Sequence, residues 1–156
     1  MSKEYWKPGN MLYPVPAVMV SCGREGEIPN IITVAWAGTI CSDPAMVSIS
    51  VRKERFSHSI IRDTGEFVIN LVNKRLVRAT DYCGVKSGRD VDKFKETRLT
   101  PQASRYVKAP GVEESPVNIE CKVVEVKELG SHDMFIAKVM GVTIDNQYMD
   151  DMGKFN

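Results

Sequence analysis

The sequence predicts a mainly β fold, a small closed or partly open barrel with two short flanking helices. Several segments are rich in β-branched and apolar residues, and the two longest follow each other at the C-terminal end. In residues 45–52, Ser48, Ser50 and Arg52 alternate with apolar residues, which places these three side chains on one face of a strand. No internal repeat or low-complexity linker divides the chain, so we expect one domain over residues 1–156.

The first two strands are expected to form a hairpin. Residues 15–22 (VPAVMVSC) are β-rich, and a polar connection containing Gly and Pro leads to a second run at residues 31–38 (IITVAWAG). The tripeptide Ser-Asp-Pro then turns the chain into the strand at residues 45–52.

Two short helices and another strand follow. Ser57 is expected to cap a helix that runs to about Arg62, before Gly65 releases the chain into a strand over residues 67–73. A second helix is expected over residues 75–83. Its inward side is predicted to carry Leu76, Val77, Ala79 and Cys83.

The C-terminal half begins with a long loop and ends in two long strands. Residues 84–116 are rich in Gly, Pro and charge, and a loop of that length is more often functional than idle. Residues 117–129 and 133–145 are expected to pair around a Gly-Ser-His connection. A change of alternation at Val123 and Val124 indicates a bulge or a strong bend. No Gly-x-Gly-x-x-Gly motif is present, which argues against a Rossmann dinucleotide site.

Composition and charge exclude several kinds of partner. With 21 basic and 20 acidic residues the net charge is +1, so no global field is available to hold nucleic acid or an anionic membrane. The N-terminal segment lacks a secretory signal, and no apolar run approaches the ~20 residues of a membrane helix, so we expect a cytoplasmic protein. The four cysteines form no Cys-x-x-Cys pair and are expected to be reduced, mostly buried thiols rather than metal ligands; they are Cys22, Cys41, Cys83 and Cys121.

The strongest local signal is a basic segment at a predicted helix start, formed by Ser50, Arg52, Lys53, Arg55 and Ser57. A helix N-terminus offers free N–H groups and the positive end of the helix dipole, and nearby guanidinium and hydroxyl groups complete a phosphate site. A solvated basic turn without a ligand explains the same residues equally well.

A second group of residues suits a polar heterocycle. Asn30, Thr33 and Trp36 supply an amide, a hydroxyl and an aromatic ring near the start of one strand. The alternative is that Trp36 belongs to the core and Asn30 to a turn. We expect His58 to lie on the surface, while His132 at the hairpin tip either reaches a ligand or caps a turn.

Longer motifs give the sequence a family resemblance. They occur in order, as Asn-x-x-Thr-x-x-Trp, Asp-Pro, Thr-Gly-Glu-Phe-x-x-Asn and Ser-Gly-Arg-Asp-x-x-Lys-Phe, and the likeness extends over nearly the whole chain. The segments that carry it are NIITVAWAGTICSDPAMVSISVRKERFSHSIIRDTGEFVINL, DYCGVKSGRDVDKF and GSHDMFIAKV. The sequence thus resembles the flavin-reductase-like FMN-binding split-barrel proteins, most closely the flavoredoxin group.

The resemblance implies a Greek-key split β-barrel that dimerises and binds FMN non-covalently near the dimer interface. It also implies positions close to the flavin, and none of these is expected to be catalytic. They are Asn30, Thr33 and Trp36 near the flavin, Thr39, Ile40, Cys41 and Ser42 beside the ring, Ser50, Val51 and Arg52 on the ribityl and phosphate side, and Ser57, Lys93 and His132 at further contact positions.

Three functions are consistent with that resemblance. The first is an NAD(P)H-dependent flavin reductase, which needs few catalytic side chains because the cofactor carries the chemistry. The second is an electron carrier that passes electrons between protein partners through FMN, and the third is a flavin-binding module without turnover. Relatives usually continue for about one more strand and a Tyr-containing tail, whereas this chain stops at Asn156.

Overall fold

The computed structural model describes residues 1–156, and its regular elements are mostly strands. The strands are β1 (Val18–Cys22), β2 (Asn30–Val34), β3 (Ala37–Cys41), β4 (Met46–Arg52), β5 (Glu66–Asn70), β6 (Pro101–Gln102), β7 (Gly111–Val112), β8 (Val117–Glu128) and β9 (His132–Ile144). The helices are α1 (Phe56–Thr64), α2 (Val77–Val85) and α3 (Lys93–Thr97), with 3₁₀ turns at Lys74–Leu76 and Asn146–Tyr148.

Seven of the strands form one antiparallel sheet in the order β2-β1-β5-β8-β9-β4-β3. Strands β2 and β3 are its two edges, yet only Ala35 and Trp36 separate them along the chain. The two edges therefore meet at this corner, and the sheet has to curve into a barrel. The prediction of a mainly β fold with short helices is confirmed.

The corner at residues 35–36 is the main difference from the predicted strands. Residues 31–38 were expected to form one strand, but the chain changes partners there: β2 pairs with β1, as expected, and β3 pairs with β4. The Ser50 N–H donates to the Trp36 carbonyl at 2.9 Å and fixes the corner against β4. The sequence does not reveal such a change, because no Gly or Pro stands at residues 35–36 to mark a turn.

The main core fills the inside of this curved sheet and contains 15 buried apolar residues. Val47, Ile49 and Val51 of β4 belong to it, so the alternation predicted for this strand is confirmed. The pairing of β8 with β9 shifts between Val123 and Glu125, which is the bulge predicted there. Three of the four thiols are buried, and the fourth, on β3, is half-buried.

The helices begin and end close to their predicted positions, with corrections. Gly65 ends α1 with a left-handed φ of 67°, and its N–H donates to the Ile61 carbonyl at 2.8 Å. Val77 was expected to face inward, but its side chain is 57% exposed, because the helix starts only after a 3₁₀ turn that rotates it outward. None of the helices has the length and hydropathy that a membrane crossing requires.

The segment at residues 84–116 is more ordered than the predicted loop. It contains α3, whose Asp92 cap accepts a hydrogen bond from the Lys95 N–H at 3.2 Å, and the short β6–β7 pair. Phe94 of α3 packs into a second buried cluster with residues of β1, β2 and α2. The polar composition of the segment conceals these elements, since each is only two to five residues long.

Candidate functional site

Two adjoining cavities lie where the barrel edges meet. One has a volume of about 200 Å³ and the other about 180 Å³, and they share Ile32 and Arg55 as walls. We call the first the basic cavity and the second the corner cavity. Neither alone reaches the ~300 Å³ of a typical small-molecule site, but an elongated ligand that crosses Arg55 would occupy both.

The basic cavity collects positive charge from three separate segments. Arg55, Lys86, Arg89 and Lys93 line it, and Glu54 is its one carboxylate. The remaining lining residues are Asn30, Ile32, Phe56, Ser57, Val85, Ser87 and Gly88. Such an excess of cations in a chain of net charge +1 favours an anionic ligand at this place.

The start of α1 opens into the basic cavity. The structure makes Arg55 the N-cap, without a side-chain capping bond, so the prediction that Ser57 caps the helix is wrong. Ser57 instead lies buried in the first turn, where its Oγ accepts a hydrogen bond from Asn30 Nδ2 at 2.7 Å. The N–H groups of Phe56 and Ser57 have no acceptor within the protein, so both are available to an anion.

Lys93 is an ammonium group buried in the wall of the basic cavity. Its side chain is 2% exposed, and Nζ donates to the carbonyls of Ile31 and Cys83, each at 2.8 Å. No carboxylate pairs with it. Burial and, to a smaller extent, the nearby Arg55 charge lower the pKa of Lys93 to about 8. An anion at the third N–H of Nζ would therefore stabilise the charged form.

Gly88 and Arg89 were part of a recognised motif, but sequence reasoning did not place them in the site. A Cβ on Gly88 would lie 2.3 Å from Cδ1 of Phe56 and 2.4 Å from Oδ1 of Asn30, so only glycine fits against these two side chains. The Arg89 guanidinium lies 5.7 Å from the centroid of the Phe56 ring and donates to the Glu54 carbonyl at 3.0 Å. The Lys-Ser-Gly-Arg spacing was the available signal for this wall.

Arg55 is the residue that joins the two cavities. Its guanidinium donates twice to the Gly84 carbonyl, at 3.1 and 3.2 Å, which holds the segment before α1 against the end of α2. The sequence placed it in the basic segment but among no ligand-contacting positions. Its position in the walls of both cavities could not be predicted, because it depends on how α2 packs beside β2.

The corner cavity lies beside the corner at residues 35–36, between the end of β2 and the end of β4. It is lined by Ile32, Thr33, Val34, Ala35, Trp36, Ser50, Val51, Arg52, Arg55 and His132. Trp36 is 36% exposed, which excludes the alternative that it belongs to the core. A flat aromatic ligand therefore has an accessible indole ring in this wall.

Polar groups of the corner cavity are only partly committed to the protein. The Thr33 hydroxyl donates to the Thr80 carbonyl, which leaves its oxygen as an acceptor. Arg52 lies 3.6 Å from an exposed carboxylate of Glu54, a weak surface contact that leaves the guanidinium available. His132 is the first residue of β9, directly opposite Arg52, and its Nδ1 is 2.7 Å from the Ser131 hydroxyl.

The thirteen predicted contact positions divide into three groups. Asn30, Ser57 and Lys93 line the basic cavity. Thr33, Trp36, Ser50, Val51, Arg52 and His132 line the corner cavity. Thr39, Ile40, Cys41 and Ser42 lie on β3 and the following turn and line neither cavity, so their contact with a ligand stays a prediction.

The expectation that His58 is a surface residue is wrong. Its side chain is 5% exposed, and Nε2 lies 2.7 Å from Oδ2 of Asp133, which is buried as well. The sequence did not reveal this, because a histidine in the first turn of a polar helix faces solvent or protein depending on the strand beneath it. Here the strand is β9.

Comparisons with known proteins identify the family and the fold. The model of the flavin reductase like domain matches residues 10–154. A flavoredoxin of Desulfovibrio vulgaris (Miyazaki F) has a similar structure, with a TM-score of 0.91 and 34% identity, covering 99% of this chain and 83% of that one. An uncharacterized protein of Archaeoglobus fulgidus is 30% identical over 93% of this chain and 81% of its own.

A more distant structure shares the fold. The FMN-binding protein of Thermus thermophilus has a TM-score of 0.84 at 21% identity, covering 99% of this chain and 87% of that one. The predicted split-barrel architecture is thereby confirmed, since these neighbours are flavin reductase-like split-barrel proteins.

Proposed function

The chain belongs to the flavin reductase like family, and on that premise we propose that it binds FMN across the two cavities and passes reducing equivalents through it. The donor we propose is NAD(P)H or a reduced protein. FMN, when bound, supplies the redox chemistry itself, so the protein has to bind it, orient it and control access to it.

One observation carries this proposal: a cation-rich cavity at a free helix start adjoins a cavity walled by an accessible indole. The first suits a phosphate, and the second suits a flat heterocycle. Arg55, in both walls, suits the polar chain that joins the two ends of FMN. Gly88 lets its segment pack closely against Phe56 and Asn30, because a Cβ would have no room there.

The residues of the basic cavity are assigned distinct tasks. The N–H groups of Phe56 and Ser57 donate to the phosphate, and Arg55, Arg89 and Lys93 neutralise its charge. Asn30 holds Ser57 in place through its 2.7 Å hydrogen bond and so fixes the first turn of α1. Lys86, at the outer wall, adds a charge that attracts the ligand without a fixed bond.

The residues of the corner cavity orient the ring end. Trp36 offers its face, the Thr33 oxygen accepts a hydrogen bond, and Ser50, Arg52 and His132 present donors at the end of β4 and the start of β9. Thr39, Ile40, Cys41 and Ser42 are proposed to border the open side of the ring. No side chain is assigned an acid or base role, because hydride or electron transfer needs none.

We also propose that the protein is a homodimer. Residues 1–17 form no hydrogen bond to the rest of the chain, and six large apolar side chains in this segment are exposed. They are Met1, Tyr5, Trp6, Met11, Leu12 and Tyr13. An apolar surface of this extent is typical of a protein contact. It continues to Trp36, which lies beside Met11 and Leu12 in a further groove, so a second copy would border the flavin.

The chromophore tests the cofactor assignment. The purified protein, or the apoprotein after reconstitution, should be yellow and release FMN on denaturation, as measured by chromatography of the supernatant. FAD alone, or no flavin at all, refutes the proposal.

Anaerobic stopped-flow mixing then distinguishes an enzyme from a carrier. A reductase bleaches its flavin absorbance rapidly with NADH or NADPH. A carrier bleaches slowly with both nucleotides and rapidly with a reduced protein partner.

A further inference from the structure

A buried histidine–aspartate pair joins helix α1 to strand β9 outside both cavities. His58 Nε2 lies 2.7 Å from Asp133 Oδ2, and each residue is 5% exposed. The imidazole also packs edge-on against the Phe135 ring, with 5.4 Å between centroids. The hydrogen bond to Asp133 and the packing against Phe135 together fix the ring of His58.

The pair is not explained by packing alone. Asp133 Oδ1 is buried without a hydrogen-bond partner, and its nearest cation is the Lys53 ammonium at 3.7 Å. Burying a carboxylate costs free energy that an apolar pair of similar size would not, and replacing such pairs by apolar residues is often stabilising. A role in placing the backbone is a reason to retain it.

The position of the pair connects the two ends of the site. His58 follows directly after Phe56 and Ser57, whose free N–H groups open into the basic cavity. Asp133 follows directly after His132, which lines the corner cavity. If His58 moved, the N–H groups of Phe56 and Ser57 would move with it. If Asp133 moved, His132 would move with it.

Apolar and polar contacts both hold the first turn of α1. Phe56 packs against the barrel core, which also contains Ile60 and Ile61 one turn later, and three polar contacts join the first turn to other elements. These are the Asn30–Ser57 hydrogen bond, the Arg55–Gly84 hydrogen bonds and the His58–Asp133 pair. Only the last of these reaches the strand that carries His132.

We propose that Asp133 and His58 are positioning residues, which hold the first turn of α1 in register with β9 so that the phosphate end and the ring end of one flavin are bound together. This inference rests on the proposed FMN site. It assigns the pair no contact with the ligand and no step in the redox chemistry.

The test compares FMN with riboflavin, which lacks the phosphate, in Asp133→Ala and Asp133→Asn. The measured quantity is the ratio of the riboflavin dissociation constant to the FMN dissociation constant. Asp133→Ala releases the first turn, so this ratio should fall by roughly tenfold or more, as expected for loss of one well-placed charge-assisted bond. Asp133→Asn keeps an oxygen that accepts from His58 and should retain most of the wild-type ratio.

Thr64→Ala provides the matched control. Thr64 lies in the last turn of the same helix, where its hydroxyl donates to the Ile60 carbonyl at 2.7 Å, and it lines neither cavity. It should lower the melting temperature without changing the ratio. If Asp133→Ala does not fold, His58→Gln and His58→Ala test the same contact from the helix, with the larger fall expected for alanine.

Equal losses of FMN and riboflavin affinity in Asp133→Ala would show a purely structural pair and overturn the inference. So would a loss in Asp133→Asn as large as that in Asp133→Ala, because position would then not be what matters. A wild-type ratio near one would instead refute the phosphate site of the proposed function, and this inference with it. A falling ratio in Asp133→Ala, restored in Asp133→Asn, supports it.

Discussion

The FMN affinity of this protein should depend on pH between 7 and 9, because Lys93 has to be protonated to meet the phosphate. Burial lowers the pKa of this ammonium to about 8 in the free protein, where only carbonyls accept its hydrogen bonds. A phosphate beside it favours the charged form and raises the pKa again. Binding above pH 8 therefore takes up a proton, and each further pH unit makes that proton more costly.

The size of the effect follows from linkage. If bound phosphate keeps Lys93 charged up to pH 9, the apparent dissociation constant is inversely proportional to the fraction of free protein in which Lys93 is charged. For a pKa of about 8 that fraction is roughly nine-tenths at pH 7 and roughly one-tenth at pH 9. The dissociation constant for FMN should then rise roughly tenfold between these pH values, which is about 1.4 kcal/mol.

Fluorescence titration of FMN and riboflavin at pH 7, 8 and 9 measures this directly. The phosphate of FMN is already dianionic across the range, since its second pKa is about 6, and the two ligands share the same ring. Riboflavin is thus the internal control and should show little pH dependence. Lys93→Gln should bind FMN more weakly at pH 7 and lose the slope. Parallel pH profiles for both flavins in the wild type would refute the role of Lys93.

The remaining predictions concern the corner cavity, the wall of the basic cavity, alkaline stability and assembly. Arg52→Ala should weaken the binding of FMN and of riboflavin alike, by roughly 1.5–3 kcal/mol, because Arg52 lines the corner cavity that holds the ring both flavins share; in a paired titration, a loss confined to FMN contradicts this. Gly88→Ala should weaken FMN binding markedly and lower the melting temperature only slightly, because its Cβ would lie 2.3 Å from a ring carbon of Phe56 in the wall of the basic cavity. Calorimetry measures both quantities. Above pH 9 the free energy of unfolding should fall by roughly 1–2 kcal/mol per pH unit in urea titrations, because three buried thiols with pKa values of about 11 to 12 outweigh the opposite effect of Lys93. Light scattering should report a dimer. A monomer with full FMN occupancy would contradict the proposed homodimer.

Local patterns predicted the strands well, and long-range geometry was what they missed. The alternation in β4 and the bulge in β8 both follow from which side chains face the core, and the sequence shows that directly. The corner at residues 35–36 depends on a change of pairing partner. Residues 35–36 are Ala and Trp, so neither Gly nor Pro marks the corner.

The candidate site was predicted in part for the same reason. Trp36 and Arg52 flank the corner cavity because the segments that contain them pair in the sheet, and the family likeness pointed to both. Arg89 and Gly88 reach the basic cavity only because α2 and α3 fold back over β2. His58 was misplaced because its partner, Asp133, is 75 residues away in the chain.

The two cavities differ in how they are supported, and this difference makes the ligand comparison informative. The corner cavity is built mainly from paired strands, whereas most cations of the basic cavity come from short segments between elements. Those segments are held by few hydrogen bonds, such as that from Arg89 to the Glu54 carbonyl. A substitution that loosens them should therefore lower FMN affinity and leave riboflavin affinity intact, while one in the barrel corner should lower both. A variant such as Trp36→Ala that weakened FMN alone would show that the indole does not contact the ring they share.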